Sequence, residues 1–584
     1  MSKYETYVSE RKIPIIIGIA GHMDLRSEEE RTILKAKTKE IFGEFRKNYP
    51  NTPLTVMTSL ARGADILAAE AAIEESIPII CPLALPKDEF INDFDGFPEE
   101  KERFDLCLSH AENQELFVGW ANGVAAENCR EQDMRDLQYE RQGRYVSNYC
   151  NILVAFWNSA PPSESAGTSV VVDYTLRDIA FERSEEIKEI GIPETRPVYQ
   201  IVTPRQKDNG AVPENAFSVN KYYCPIGHCD EECKAAKAAF KLKMSRIEQY
   251  NRDVCKYKRW LKRLETKEYK KEDSITTLIS SDAELFLMNH YLSADGLSVK
   301  QKKERNTVFK IGLVIVIISS ICLGLSVNQS SILFLILLSA AFLFLKFFAG
   351  AVNKQKRHEK FVDYRAMAEC LRVQIYWNHI GIDKQAQNYM LKNQKYMLDW
   401  VQSSVRNIVY IDSVKNTASK ESEENVNASI RHWVDGQIKY FGDKLKVFDK
   451  KHKPRGFLLS LTENLTYITP ILLAVLMYVN EQVVSVPYFG YITSAASVLL
   501  VVFPYVSIWL FGEKELEKVK TLKSRYSWDL LFFRAVSEQI EQVKQEKDRQ
   551  ARLAKLETVG AMEIVETGNW ASMVRFDTPE LPNI

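Results

Sequence analysis

From Ile13 onward, short apolar runs rich in Ile and Val alternate with longer stretches in which apolar residues recur every three or four positions. The short runs fit strands buried on both faces and the longer ones fit amphipathic crossover helices, so the alternation predicts a parallel sheet wrapped by helices. Expected strands are 14–19, 54–57, 78–81, 115–117, 152–156 and 198–202. Residues 27–49 open with Ser27 and carry Glu30 three positions on, a capping-box start to a helix. Residues 64–75, nearly all Ala, Glu and Ile, predict the next helix. A Rossmann-like, doubly wound α/β domain over 1–205 follows.

The pattern then changes twice. A lysine-rich stretch at 231–271 spaces Phe240, Met244, Ile247, Tyr250, Val254, Tyr257 and Leu261 near helical intervals, and a further helix is expected around 283–297. Residues 206–300 therefore read as a connecting helical stalk. Beyond it lie four apolar segments, 309–326, 331–352, 457–479 and 486–511, each near the roughly 20 residues that cross a bilayer. Pro470 and Pro504 fall inside two of them, which membrane helices tolerate. Their spacing predicts an all-α membrane domain of four transmembrane helices in two hairpins.

Lys and Arg flank both hairpins and are missing from the connecting loops. Lys300, Lys302, Lys303, Arg305 and Lys310 precede the first, and Lys354, Lys356, Arg357 and Lys360 follow it. Lys450, Lys451, Lys453 and Arg455 precede the second, and Lys514, Lys518, Lys520 and Lys523 follow it. The positive-inside rule then places both termini on the cytoplasmic side of an inner membrane. Lys346, inside the second segment, is close enough to that side to snorkel. Helical stretches at 364–377 and 526–536 follow the hairpins, suggesting an internal duplication of two units, 301–415 and 429–584, joined by a polar linker at 416–428.

Composition narrows the partners. At 584 residues the chain exceeds one hydrophobic core, and 77 Lys plus Arg balance 77 Asp plus Glu, so no global field recruits nucleic acid. The ten cysteines are scattered, without the regular spacing of a secreted scaffold, and read as reduced thiols. Cys224, His228, Cys229 and Cys233 lie close together, but zinc sites commonly use two short pairs set a dozen or more residues apart, so isolated thiols are the expectation. The first residues lack an apolar h-region, so insertion is expected to use internal segments.

Three loops carry candidate ligand chemistry, each following a predicted strand of the α/β domain, where such sheets bind ligands. Gly18, Gly21 and His22 lie after the first strand, where glycines let backbone N–H groups approach a phosphate. Ser59, Arg62, Gly63 and Asp65 join the second strand to its helix. Arg62 is suited to a phosphate, and Asp65 to a helix cap or a ribose hydroxyl. Gly167 and Thr168 begin the helix after the 152–156 strand. One Gly-x-x-Gly alone is more often a plain turn; three loops on one sheet edge carry the ligand reading.

IAGH at 19–22, SLARGAD at 59–65, YERQGRYVSNYCNILVAFWNS at 139–159, AGT at 166–168 and VYQIVTPR at 198–205 together resemble the SLOG superfamily of Rossmann-like domains, which includes DprA and the LOG phosphoribohydrolases. The membrane part, with YRAMAECLR at 364–372 and ETGNW followed by RFDTPELP near the end, is similar to SLATT effector domains of bacterial conflict systems. The resemblance implies a sensor for a nucleotide second messenger, of cyclic-oligonucleotide or ADP-ribose type, made by a partner nucleotide-generating enzyme. It further implies an oligomeric effector that forms a pore or disrupts the bilayer in antiphage defence. Hydrolytic relatives carry a Glu three residues after the Thr of their glycine motif; here that position is Val171, and Asp173 or Glu140 would have to substitute. A Met23 stands where related sequences read Arg, with Arg26 a possible replacement. No cofactor, metal or catalytic residue is expected on this reading. A membrane-tethered nucleotide N-glycosidase and a nucleic-acid tether are the alternatives.

Overall fold

The computed structural model describes residues 9–114, 116–160, 167–178, 194–205, 214–225, 229–271, 274–278, 284–329, 356–390, 392–416, 422–484, 487–517, 519–545 and 549–576, with single positions at 336, 340 and 343. Six strands, β1 (Ile15–Gly21), β2 (Leu54–Met57), β3 (Ile79–Ile80), β4 (Ile152–Trp157), β5 (Val198–Val202) and β6 (Val219–Tyr222), form one sheet in the order 3-2-1-4-5-6. All neighbouring pairs are parallel except β5–β6. This order is that of doubly wound sheets that bind ligands where the direction of winding reverses, here between β1 and β4.

Ile15, Ile17, Val56, Ile152 and Val154 point to one face and Ile16, Met57, Leu153 and Ala155 to the other, every one fully buried. Helices α1 (Glu28–Asn48) and α2 (Ala64–Glu74) cover the first face. A further helix, α3 (Pro98–Ser109), packs on α2. The second face is covered by α4 (Gln132–Tyr149) and α5 (Thr168–Arg177). The Ser27 hydroxyl accepts from the Glu30 N–H, the expected cap. The strand expected at 115–117 is reduced to a bridge between Phe117 and Leu83; Glu115 lies outside the described residues.

Residues 206–300 supply more than a connection. They add β6 to the sheet edge, followed by α6 (Asp230–Lys256), α7 (Lys258–Glu268) and α8 (Leu285–Gln329). Asn251 of α6 accepts from the Ile13 N–H at 2.8 Å and donates to the Ile13 carbonyl at 2.9 Å, while Glu248 accepts from the Asn51 N–H and the Thr52 hydroxyl. These contacts satisfy backbone groups at the amino edge of the sheet that would otherwise be buried unpaired.

After α8 come α9 (Arg357–Ile380), α10 (Lys392–Lys415), α11 (Glu423–Ser429), α12 (Gly436–Gln482), α13 (Phe489–Glu517), α14 (Val519–Gln545) and α15 (Arg549–Phe576). The second half of the stretch read as a linker is thus helical, with Val426 fully buried. Two parallels between the halves stand out. In the first, Glu304 meets Arg357 at 3.3 Å and Asp295 meets Arg365 at 2.5 Å, so α9 runs back antiparallel along the near half of α8. In the second, Phe441 faces Phe533 and Phe448 faces Tyr526, so α14 does the same along α12.

Two helices among the described residues, not the four expected, are long and apolar enough to cross a membrane: the continuous helix Glu423–Gln482 and the segment Phe489–Phe511. Only 11% and 6% of their apolar windows are covered by the rest of the chain. Of the other two, 309–326 forms the far half of α8, and 331–352, with Lys346, lies outside the described residues apart from single positions. Far α8 joins the same bundle, because a Cβ on Gly312 would lie 2.5 Å from the Trp509 ring of α13.

Candidate functional site

The outgoing connections of β1 and β4 leave in opposite directions, opening a crevice beyond their carboxyl ends. His22 follows directly on β1 at this reversal, buried. Its N–H donates to the Phe156 carbonyl at 3.2 Å, its carbonyl accepts from the Ala64 N–H at 3.1 Å, and its Nε2 accepts from the Asn158 N–H at 3.2 Å. Accepting through Nε2 leaves that nitrogen unprotonated.

The two glycines of the first loop act by their size. A Cβ on Gly18 would lie 2.8 Å from the Cys150 Cβ, and one on Gly21 would lie 2.3 Å from the Ala64 Cβ and 3.0 Å from the Phe156 Cβ. Both belong to β1, and neither adopts positive φ. The helix beyond opens with Glu28, Glu29 and Glu30, and Arg26 pairs with Glu30 at 3.0 Å. Three carboxylates already complement the positive end of α1, an arrangement that disfavours an added phosphate there.

In the second loop, the Ser59 hydroxyl donates to the Asp65 Oδ2 at 2.5 Å. Burial pushes the Asp65 carboxyl up to about 7, against hydrogen bonds from the Ser59 side chain and the Ser59 and Ala61 backbone that act in the opposite sense. Asp65 thus folds its own loop. Gly63, at φ +80°, leaves no room for a Cβ, which would lie 2.6 Å from the Met23 carbonyl and 2.7 Å from that of His22. The first and second loops are therefore one packed unit. Arg62 is half-buried: its guanidinium lies 3.7 Å from the ring centre of half-exposed Phe97, and no carboxylate pairs with it among the described residues.

Across the crevice, Gly167 adopts φ +136° in open space and Thr168 begins α5, buried; Ser165 and Ala166 lie outside the described residues. No acidic residue occupies the first turn of α5. Of the three helix starts at this edge, this one leaves its N–H groups electrostatically available to an anion. Contacts link the first two loops directly, whereas Gly167 and Thr168 stand apart on the β4 side.

Val171 is buried against α4, where a Cβ on Gly143 would lie 2.6 Å from its Cγ2. Glu140 accepts from the Tyr174 hydroxyl at 2.5 Å and pairs with Arg144 at 2.7 Å, and Asp173 pairs with Arg177 at 2.6 Å. Both candidate substitutes for the missing carboxylate are thus engaged elsewhere. Sequence reading missed Asn158, Phe97 and the Asp24–Arg205 pair, which at 3.1 Å ties the loop after β1 to the end of β5. Arg205 closes a quoted motif, but nothing in the sequence couples it to Asp24.

The cysteine cluster differs from the expected isolated thiols: Cys224 and Cys233 are joined, with Cα atoms 5.3 Å apart, while Cys229 is exposed and unbonded. His228 lies outside the described residues, and no group of three metal-ligating side chains occurs among those described.

Helix α5 links the crevice to the far side of the domain. Its last turn is capped by Asp178, which accepts from the Glu194 N–H at 2.8 Å and pairs with Arg196. Glu194, fully enclosed, also meets Lys243 of α6 at 2.9 Å and Arg406 of α10.

Fold and edge together define a doubly wound α/β domain, with an anion-compatible helix start at its winding reversal, joined to a long-helix bundle. No protein-family model, curated protein or solved structure matches the chain.

Proposed function

We propose that the chain is a multi-pass inner-membrane sensor–effector, with a nucleotide-derived second messenger binding across the β1–β4 crevice and the helical bundle breaching the bilayer in response. One observation carries the reading most: a helix start free of carboxylates, and Arg62 with no carboxylate partner among the described residues, both lie beyond the carboxyl ends of parallel strands. Phosphate at Gly167–Thr168 and at Arg62 would span the reversal, and α5 would pass the strain to Glu194 and so to α6 and α10. A ligand acts this way only if it favours one of two arrangements over the other.

The membrane side rests on apolar helices left almost uncovered by the chain. The Glu304–Arg357 and Phe448–Tyr526 contacts favour hairpins that return to the side they left, both termini cytoplasmic. Exposed apolar helices also suit a homo-oligomer that opens a pore or disrupts lipid, in keeping with an abortive antiphage response to a messenger made by a partner enzyme. Buried Val171 gives the N-glycosidase alternative no support.

The test is titration calorimetry of the full chain in detergent against cyclic dinucleotides and trinucleotides, ADP-ribose, NAD and AMP, with chromatography for turnover. Tight binding of one nucleotide without turnover is the expected result. Release of a free base would turn the reading into a hydrolase, and no binding across the panel would remove the sensor.

A further inference from the structure

Glu463 lies six residues after Phe457, about 9 Å into the apolar part of α12 by helical rise. It is exposed, with no ion pair or hydrogen bond among the described residues. A carboxylate at such depth is costly against lipid and marks a surface that meets water or protein.

Its neighbours on the helix sharpen this. The face of α12 turned into the chain is another one, carrying buried Leu459 and Thr462. The exposed side divides in two. Ser460, Glu463 and Tyr467, then Ala474, Tyr478 and Glu481, share one exposed strip, on which Pro470 and Ile471 fill the turn between Tyr467 and Ala474. Leu461, Ile468, Leu472 and Val475 line the adjacent one, which is apolar beyond Asn464 near its start. Lipid requires only the second strip. A carboxylate inside the apolar segment, on a face that also carries Ser460, Tyr467 and Tyr478, beside a lipid-facing one and away from the packed face, fits a helix that lines an aqueous path.

We infer that several copies of this chain assemble with the Glu463 strip of α12 facing a shared water-filled path, and that the ring of Glu463 carboxylates selects cations. The inference rests on the membrane-effector reading above. It commits the exposed polar face to further copies of the chain and the ligand class to small cations, since rings of carboxylates favour cations and exclude anions.

The test uses the full chain in phosphatidylcholine–phosphatidylglycerol vesicles, carrying single substitutions Ala474→Cys, Leu472→Cys or Val483→Cys. Two thiol reagents of similar size, a cationic trimethylammonium and an anionic sulfonate methanethiosulfonate, are applied, and modification of the new cysteine is followed by mass spectrometry. Ala474→Cys should react while Leu472→Cys stays protected, and the cationic reagent should be roughly tenfold faster at Ala474→Cys, the scale on which a charged, confined path concentrates counter-ions. Adding Glu463→Gln should bring that ratio close to one. An Ala474→Cys as protected as Leu472→Cys, or a ratio unchanged by Glu463→Gln, overturns the inference and leaves the membrane reading intact. Leu472→Cys reacting as fast as Val483→Cys in the connecting loop would instead show that neither face is in lipid, and the membrane reading would fall first.

Discussion

Glu194, just ahead of β5, and Arg406, on α10, meet 212 positions apart as a buried two-pronged ion pair. Lys243 and Arg196 share the same carboxylate, so one side chain fastens the sheet to two helices of the following region. Burial pushes the Glu194 carboxyl up, but Arg406, Lys243 and Arg196 outweigh it and hold it well below the usual range. Removing the acid takes the carboxylate from buried Arg406 and leaves Lys243 only Asp399 and Arg196 only Asp178. Glu194→Gln is therefore expected to cost about 3–5 kcal/mol, read as a lowered thermal midpoint of the full chain in detergent. Because the folded state holds on to fewer protons here than the unfolded chain, this contribution is complete above the ordinary Glu range, near about 4.3, and is lost as pH falls below it. The variant should lack that acid-dependent loss.

Asp65 has the opposite sign. Its folded carboxyl is raised to about 7, so the native state binds the extra proton and stability falls as pH rises from about 4 towards 7, by up to roughly 4 kcal/mol. Asp65→Asn should flatten this slope. Unfolding midpoints of both proteins measured from pH 5 to 8 would check it, and parallel curves would show that Asp65 stays charged in the fold.

Gly21 and Gly167 predict different losses. Gly21→Ala forces a methyl to within 2.3 Å of the Ala64 Cβ and should destabilise by about 1–3 kcal/mol through overpacking. Gly167→Ala meets nothing in space but must hold φ +136°, a strain of about 1–3 kcal/mol. Thermal unfolding should register Gly21→Ala strongly, whereas on the proposed sensor reading nucleotide affinity by calorimetry should register Gly167→Ala. Equal effects on both readouts would separate Gly167 from the ligand.

Arg62→Ala should weaken nucleotide binding at least about tenfold, the loss of one charge-assisted contact, while membrane insertion and thermal midpoint stay as they were. Arg62→Lys should recover only part of the affinity because it loses the planar fork. Unchanged affinity in Arg62→Ala would assign the guanidinium to Phe97 alone.

Local pattern made the sheet legible. Strands 54–57 and 198–202 agree in both limits, and the helix at 28–48 starts at its predicted cap, because apolar runs buried on both faces leave a signal within a few residues. Strand β6, with only half-buried VNKY, leaves no such signal; pairing with β5 makes it a strand. The candidate site was legible as chemistry and less so as roles. Gly18 and Gly21 read as opening the backbone to a phosphate, but their contacts lie on α4, α2 and β4, far along the chain. Asp65 reads as a helix cap or a ribose partner and is engaged by Ser59. Residues 206–300 read as a stalk because amphipathic periodicity reports that a helix has a buried face, without reporting that Asn251 and Glu248 set that face on the sheet.

The Glu304–Arg357 clasp has a mechanical consequence. Two helices pinned where one leaves and the other returns cannot be shifted singly. Force arriving at α8 from the sheet side reaches the start of α9 with it, as at the pivot of a pair of tongs, and α9 carries it on to α15, whose Glu563 meets Arg372 at 3.3 Å.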